Sequence, residues 1–141
     1  MIYASGVSRR SFAVAACGAL AAVAVAVAAA PASTVPDLRS VSASHRHVVV
    51  VFTTGELAPR TVQVATRPQR GRDGSFVAAN VRLNELMRPT RVAAGYRSRT
   101  RGTLRPGRYY VAVSANEIAL DCTPHKPCKT SWSNVRSIRM P

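Results

Sequence analysis

The 141-residue chain has room for one domain with a modest core, because 47% of its residues are hydrophobic and only 6% are aromatic. Twenty Lys and Arg residues against six Asp and Glu residues give a formal charge of +14, which predicts attraction to polyanions but not specificity. The six carboxylates form no motif that would tune one as acid and another as base, and no nucleophile-elbow, Walker or zinc-protease motif occurs. The sequence therefore indicates a non-enzymatic protein without a cofactor.

Residues 1–32 are predicted to be an export signal peptide. Arg9 and Arg10 precede twenty uncharged residues, and this run ends at Ala30-Pro31-Ala32, a small-residue pattern typical of a cleavage site. Residues 8–12 resemble the twin-arginine export motif, and a Sec-type signal is the alternative. Cleavage after Ala32 removes both arginines and leaves a secreted or envelope-associated chain of charge +12, from 18 basic and six acidic residues.

Two other interpretations of this segment remain open. Lipidation at Cys17 is disfavoured because the apolar run before that residue is short for a signal. An uncleaved membrane anchor has sufficient length but ranks second to cleavage, because alanine contributes little to membrane insertion. A membrane is therefore expected as a partner only if the signal stays attached.

Residues 33–36 are expected to be a short linker, and residues 37–141 a domain of short strands. Apolar residues alternate or run continuously between turn residues, and no sustained helical period appears. Residues 67–74 are predicted to be a mobile loop, with a turn at 71–74, and residues 76–87 fit a strand pair or a short helical turn equally well. The predicted strands are 38–43, 47–52, 60–66, 96–101, 109–115 and an edge strand at 135–140.

Residues 104–115 carry the most specific pattern in the chain. Their sequence LRPGRYYVAVSA resembles the fibronectin type III pattern L-x-P-G-x-x-Y-x-V-x-V-x-A, and residues 132–135 are similar to that family's entry into its last strand. The resemblance implies an all-β, immunoglobulin-like sandwich of two sheets over residues 37–141. It also implies a tyrosine corner: the spacing from Leu104 selects Tyr110, whereas the shared parity with Val111 and Val113 selects Tyr109, which we favour.

The same resemblance assigns structural roles elsewhere. The family's strand-B tryptophan is missing, so Phe52 is expected to replace it, and Trp132 stands outside the expected core position. The residues predicted to build the corner and core are Leu104, Pro106, Gly107, Tyr109, Val111, Val113, Phe52 and Trp132.

Cys122 and Cys128 are predicted to form a disulfide within the loop before the last strand. They are the two cysteines left after signal removal, and export favours their oxidation. A closure this short contributes roughly 2 to 2.5 kcal/mol by the loop-entropy relation. The bridge either keeps the loop from fraying or preorganises His125, Lys126 and Lys129 for contact with a partner.

Two further clusters of side chains have alternative interpretations. His45 and His47 are expected on one face at the start of a strand, where a histidine pair without metal is favoured because too few further ligands are present. Arg97, Arg99 and Arg101 share one face of a strand, with Arg105 and Arg108 near the following turn. This arginine face is either a solvated surface that discourages aggregation or a stripe for phosphates, carboxylates and sulfates.

The sequence thus predicts a secreted or envelope-associated binding module that uses the 117–131 loop and the arginine face. Its expected partner is a protein or an anionic envelope polymer. The alternative function is an extracellular polyanion binder, for an anionic polysaccharide or a nucleic acid, although specific nucleic-acid recognition is disfavoured because few aromatic platforms accompany the arginines. A small exported enzyme or accessory domain is the third hypothesis.

Overall fold

The computed structural model describes residues 35–118 and 122–141, which belong to one compact unit, Pro31–Pro141. The predicted signal peptide, with Arg9, Arg10, Cys17, Ala30 and Ala32, lies outside the described residues. Within the described ranges, no helix has the length and apolar character needed to span a membrane.

The described residues form two antiparallel sheets. The first sheet has the order β1-β2-β6-β5, and the second has the order β4-β3-β7, with β8 and β9 both pairing with the remaining edge of β7. This all-β arrangement is compatible with an immunoglobulin-like sandwich. The strands are β1 Asp37–Ser44, β2 His47–Thr53, β3 Ala58–Ala65, β4 Val81–Leu86, β5 Thr90–Val92, β6 Gly95–Arg99, β7 Gly107–Asn116, β8 Thr130–Trp132 and β9 Arg136–Met140.

The main core lies between the sheets and follows the period of two that the strands carry. Phe52 is fully buried at its centre, and its ring stacks on Tyr96 with centroids 5.7 Å apart. Phe52 therefore occupies the core in the way the sequence predicts. The other buried members that define the two inner faces are Leu38, Val48 and Val50 from the first sheet and Val62, Val64, Val111 and Val113 from the second.

The six predicted strands are confirmed, with ends shifted by at most two residues. β6 is shorter than predicted, because the chain leaves the strand after Arg99 and the buried Thr100 hydroxyl accepts a hydrogen bond from the Val48 N–H at 3.0 Å. Of the two alternatives for residues 76–87, the short helical turn is present, as a 3-10 turn at Ala78–Asn80, whereas a single strand, β4, follows it in place of a strand pair. β5 and β8 were not predicted, because three residues are too few to show a pattern.

A second, smaller core lies on the outer face of the second sheet. The predicted loop at 67–74 folds back over this face, and Phe76, just after it, packs against Ala65 and Ala112. The predicted turn at 71–74 is present, with the Gly74 N–H donating to the Gly71 carbonyl at 3.2 Å. The loop is therefore anchored to the sheet by a buried aromatic side chain.

The β1–β2 connection corrects the sequence interpretation of the histidines. Ser44 pairs with His47, so His45 and Arg46 form a two-residue hairpin turn, with φ angles of 47° and 70°. Both angles match a type I′ turn, which normally uses Asn and Gly. The prediction that His45 and His47 share a strand face is wrong, because a turn without glycine gave no signal in the sequence.

Candidate functional site

The outer face of the first sheet presents the predicted arginines to solvent. Arg97 and Arg99 are exposed on β6, whereas the intervening Ser98 is buried. Arg99 pairs with Val49 of β2, which faces outward and yet is only 4% exposed. Arginine stems can cover apolar surface while their charged ends stay in water. These side chains therefore both shield the sheet and carry its charge.

Three exposed arginines from two segments of the chain line a cleft at the side of the sandwich. Arg88, Arg99 and Arg101 line a small cleft of about 40 Å³, together with the Glu85 side chain from β4. Arg97 is the neighbouring arginine on the same face of β6. We call Arg88, Arg97, Arg99 and Arg101 the β6 arginine cluster. Sequence reasoning missed Arg88, because its approach to Arg99 depends on how the chain crosses from one sheet to the other.

The carboxylate in this cleft is already engaged by the backbone. Glu85 accepts hydrogen bonds from the N–H of Arg101 at 3.0 Å and from the N–H of Gly102 at 2.8 Å. Across residues 35–118 and 122–141, the one ion pair joins Arg39 to Asp37. The cluster's guanidinium groups therefore carry positive charge that no described carboxylate pairs with directly.

The other two predicted members of the arginine face lie elsewhere. Arg108 is on β7, exposed on the outer face of the second sheet, where its strand partner is Arg139 of β9. Arg105 is in the turn before β7 and borders a shallow groove with Arg82. The structure thus groups Arg97, Arg99 and Arg101 with Arg88 and separates them from Arg108.

The turn before β7 has the predicted corner geometry. Tyr109 is buried, and its hydroxyl donates a hydrogen bond to the Arg105 carbonyl at 2.9 Å. Gly107 begins β7 with φ of 151°, and Leu104 is buried in the main core. Tyr109 therefore has the corner position, whereas Tyr110 packs against the second core, as does the half-buried Trp132.

The loop before β8 contains the predicted disulfide. Cys122 and Cys128 are bonded, with Cα atoms 4.9 Å apart, and the backbones of Thr123 and Lys126 exchange two hydrogen bonds inside the ring. The turn exposes the predicted contact residues His125 and Lys126.

The base of the same loop is also tied. The Glu117 N–H donates to the Lys129 carbonyl at 3.1 Å, and the Lys129 N–H donates to the Glu117 carboxylate at 3.3 Å. Lys126 borders an open groove with Glu56 and Glu117, so this end of the sandwich carries charges of both signs. It is a different surface from the arginine cluster.

The described residues provide little support for metal chemistry. They hold no group of three or more His, Cys, Asp or Glu side chains arranged to bind a metal ion. The Nδ1 atom of His47 lies 2.9 Å from the Thr100 carbonyl oxygen, so this side chain joins β2 to the end of β6. Its geometry gives it a structural role.

Comparisons with protein-family models, curated proteins and solved structures give no significant match to this chain. The functional argument therefore depends on the residues and their geometry.

Proposed function

We propose that this chain is a secreted or envelope-associated, non-enzymatic binding domain of fibronectin type III-like fold whose β6 arginine cluster binds an anionic polymer. The observation that carries the proposal is the cleft that the exposed residues Arg88, Arg99 and Arg101 line. Its one lining carboxylate, that of Glu85, is bonded to two backbone N–H groups. The guanidinium groups are therefore available to an external anion.

The chemistry of arginine favours phosphate, sulfate or carboxylate groups as ligands. Its planar fork donates parallel hydrogen bonds to two oxygen atoms of one such group. Several arginines along one cleft allow successive charged groups of a polymer to be bound, with release of the counterions that the polymer carries. Arg97 extends the cluster along β6, so that a chain-like ligand has contacts beyond the cleft itself.

Fold and location are supported by separate observations. The strand order β1-β2-β6-β5 and β4-β3-β7 is compatible with an immunoglobulin-like sandwich, and the buried Tyr109 hydroxyl donates to the backbone at the turn as a tyrosine corner does. The disulfide at Cys122–Cys128 agrees with an oxidising compartment, to which the predicted signal peptide would deliver the chain.

The test measures binding of the full 141-residue chain to sodium polyphosphate and to heparin by titration calorimetry. The variant Arg99→Gln/Arg101→Gln should bind about 30-fold more weakly at low salt, from roughly 1 kcal/mol for each arginine contact. Wild-type affinity should fall steeply between about 50 and 200 mM salt, and the variant should show a smaller slope.

The matched control is Arg108→Gln/Arg139→Gln, which removes the same charge from the second sheet. We expect this control to retain most of the affinity. Equal losses in the two double variants would mean that net charge, and not the cluster, attracts the polymer, and the proposal would then be rejected.

A protein partner at the 117–131 loop is the second candidate function. It is favoured by two constraints on the loop: the disulfide closes residues 122–128 into a ring, and Glu117 and Lys129 are hydrogen-bonded at the base of the loop. A preorganised loop loses less conformational entropy when it binds. Capture from envelope extract that survives about 200 mM salt and disappears in Cys122→Ser/Cys128→Ser would support this function. Capture that the double variant leaves unchanged would exclude the loop as the site.

A further inference from the structure

An open groove of about 420 Å³ crosses the outer face of the second sheet. Its floor comes from β3 and β4, where Gln63 pairs with Asn84. One wall is the tip of the 70–76 hairpin, with Asp73, and another is formed by β8, with Trp132. The volume lies within the usual range of small-ligand sites. The groove is on the opposite sheet from the outward arginines of β6.

The polar groups of this groove have hydrogen-bonding capacity to spare. Gln63 is only 8% exposed, and its Oε1 accepts a hydrogen bond from the Phe76 N–H at 3.0 Å. Within the described residues, neither the Gln63 Nε2, nor the Asn84 amide, nor the Trp132 Nε1 has a hydrogen-bond partner. Gln63 is held in place by one half of its amide, and the other half offers two N–H donors.

Trp132 is held beside the hairpin. A side chain at Gly74 would meet the indole, since a Cβ there would lie 3.2 Å from Trp132 Cδ1. The indole packs in part on the second core, and it also lines the groove. An indole combines an apolar face with a polar N–H, and such a surface suits a ligand that has both C–H and hydroxyl groups.

The charge of the groove separates it from the rest of this basic chain. Arg60 and Asp73 are its two charged lining residues, so their formal charges cancel. A hydrogen bond from the Ser75 hydroxyl, and to a lesser extent one from the Ser75 N–H, lowers the pKa of Asp73, so this carboxylate stays ionised at neutral pH. An anionic polymer would meet this carboxylate, whereas a neutral ligand would find donors and acceptors of both kinds.

We infer that this groove binds a neutral saccharide, with a sugar ring against Trp132 and its hydroxyls hydrogen-bonded by Gln63, Asn84 and Asp73. Saccharide hydroxyls both donate and accept, as the amide side chains do. The inference is independent of the proposed anion-binding function, because it uses different residues on a different sheet.

The experiment titrates the full chain with chitohexaose, cellohexaose and maltohexaose, which are uncharged. Trp132 is the single tryptophan of the sequence, so a change in its fluorescence reports the groove directly, and calorimetry measures the affinity. We expect saturable binding of at least one hexasaccharide. The exposed Asn84, changed to Ala, should weaken that binding about tenfold, as expected for loss of a side-chain hydrogen-bonding group.

The controls separate this site from the other surfaces. Asn80→Ala removes the same amide group outside the groove lining, and Arg99→Gln alters the arginine cluster, so both should bind the hexasaccharide as the wild type does. Added polyphosphate should not displace the sugar. The inference is overturned if no hexasaccharide saturates the fluorescence change up to about 10 mM, or if Asn84→Ala leaves the affinity unchanged.

Discussion

Replacing Glu85 by Gln should destabilise the domain and strengthen anion binding at once. The carboxylate accepts from two backbone N–H groups, those of Arg101 and Gly102, in the turn that leads from the first sheet to the second. A carboxamide has one oxygen, so it can accept from one N–H while its NH₂ group faces the other. Hydrogen bonds to charged groups contribute about 1.5–3 kcal/mol, so we expect a loss of about 2 kcal/mol in the free energy of unfolding.

The turn has little freedom to adapt to this change. A Cβ at Gly102 would lie 2.6 Å from Leu83 Cδ2, so the backbone here is packed directly against β4. The variant should melt about 10 °C lower, measured by thermal unfolding and by urea titration. Part of the lost stability is Coulombic, because Glu85 lines the cleft together with three arginines. The difference in stability between the wild type and Glu85→Gln should therefore be smaller in about 1 M salt.

The matched control is Glu56→Gln, which removes an exposed carboxylate from another part of the surface. It should change stability by less than about 0.5 kcal/mol. If Glu85→Gln were as stable as this control, the two backbone hydrogen bonds would contribute nothing measurable, and the reasoning would be refuted. In the polyphosphate titration, Glu85→Gln should bind several-fold more tightly than the wild type; weaker binding would argue against the cluster as the site.

Three smaller changes test the structure elsewhere. His45→Asn should raise stability by about 0.5–1 kcal/mol in urea titration, because asparagine tolerates the positive φ of this turn better; a loss would mean that the imidazole makes a stabilising contact. Arg139→Glu should raise the free energy of unfolding by about 0.5 kcal/mol, because the repulsion between Arg139 and its cross-strand partner Arg108 becomes an attraction, and this gain should disappear in about 1 M salt. Asn134→Ala should lower the free energy of unfolding by about 2 kcal/mol in chemical denaturation, since the amide exchanges two hydrogen bonds with the backbone of Leu38, at 2.8 and 3.2 Å. A loss near zero would show that water replaces both hydrogen bonds.

The sequence was most informative where one face of a strand is buried. The alternation around Arg97 and Arg99 and the shared parity of Tyr109 and Val111 predicted which side chains point inward, because a period of two leaves each side chain one choice of face. The corner hydrogen bond of Tyr109 followed from the same parity. These features depend on local pattern, which a single sequence contains.

The sequence was least informative where residues distant in the chain converge. Arg88 and Arg101 approach each other only because the chain changes sheets twice between β4 and β7. The groove combines residues from β3, β4, β8 and the 70–76 hairpin, none of which forms a motif by itself. The positive φ angles of His45 and Arg46 were also not predicted, because the turn contains no glycine; only the structure shows that the Arg46 side chain donates to the Leu104 carbonyl at 3.1 Å.

The two proposed sites should differ in their response to salt, and this difference separates them in one protein. Binding at the β6 arginine cluster releases counterions from the polymer, so its affinity falls with rising salt. Binding of a neutral sugar against Trp132 displaces no counterions, and the charges of Arg60 and Asp73 already cancel within the groove. The formal charge of +14 therefore describes the chain as a whole but not each of its surfaces. For a polymer that carried both neutral sugars and anionic groups, rising salt would remove the contribution of the arginine cluster and leave that of the groove, so each surface would account for a separable part of its affinity.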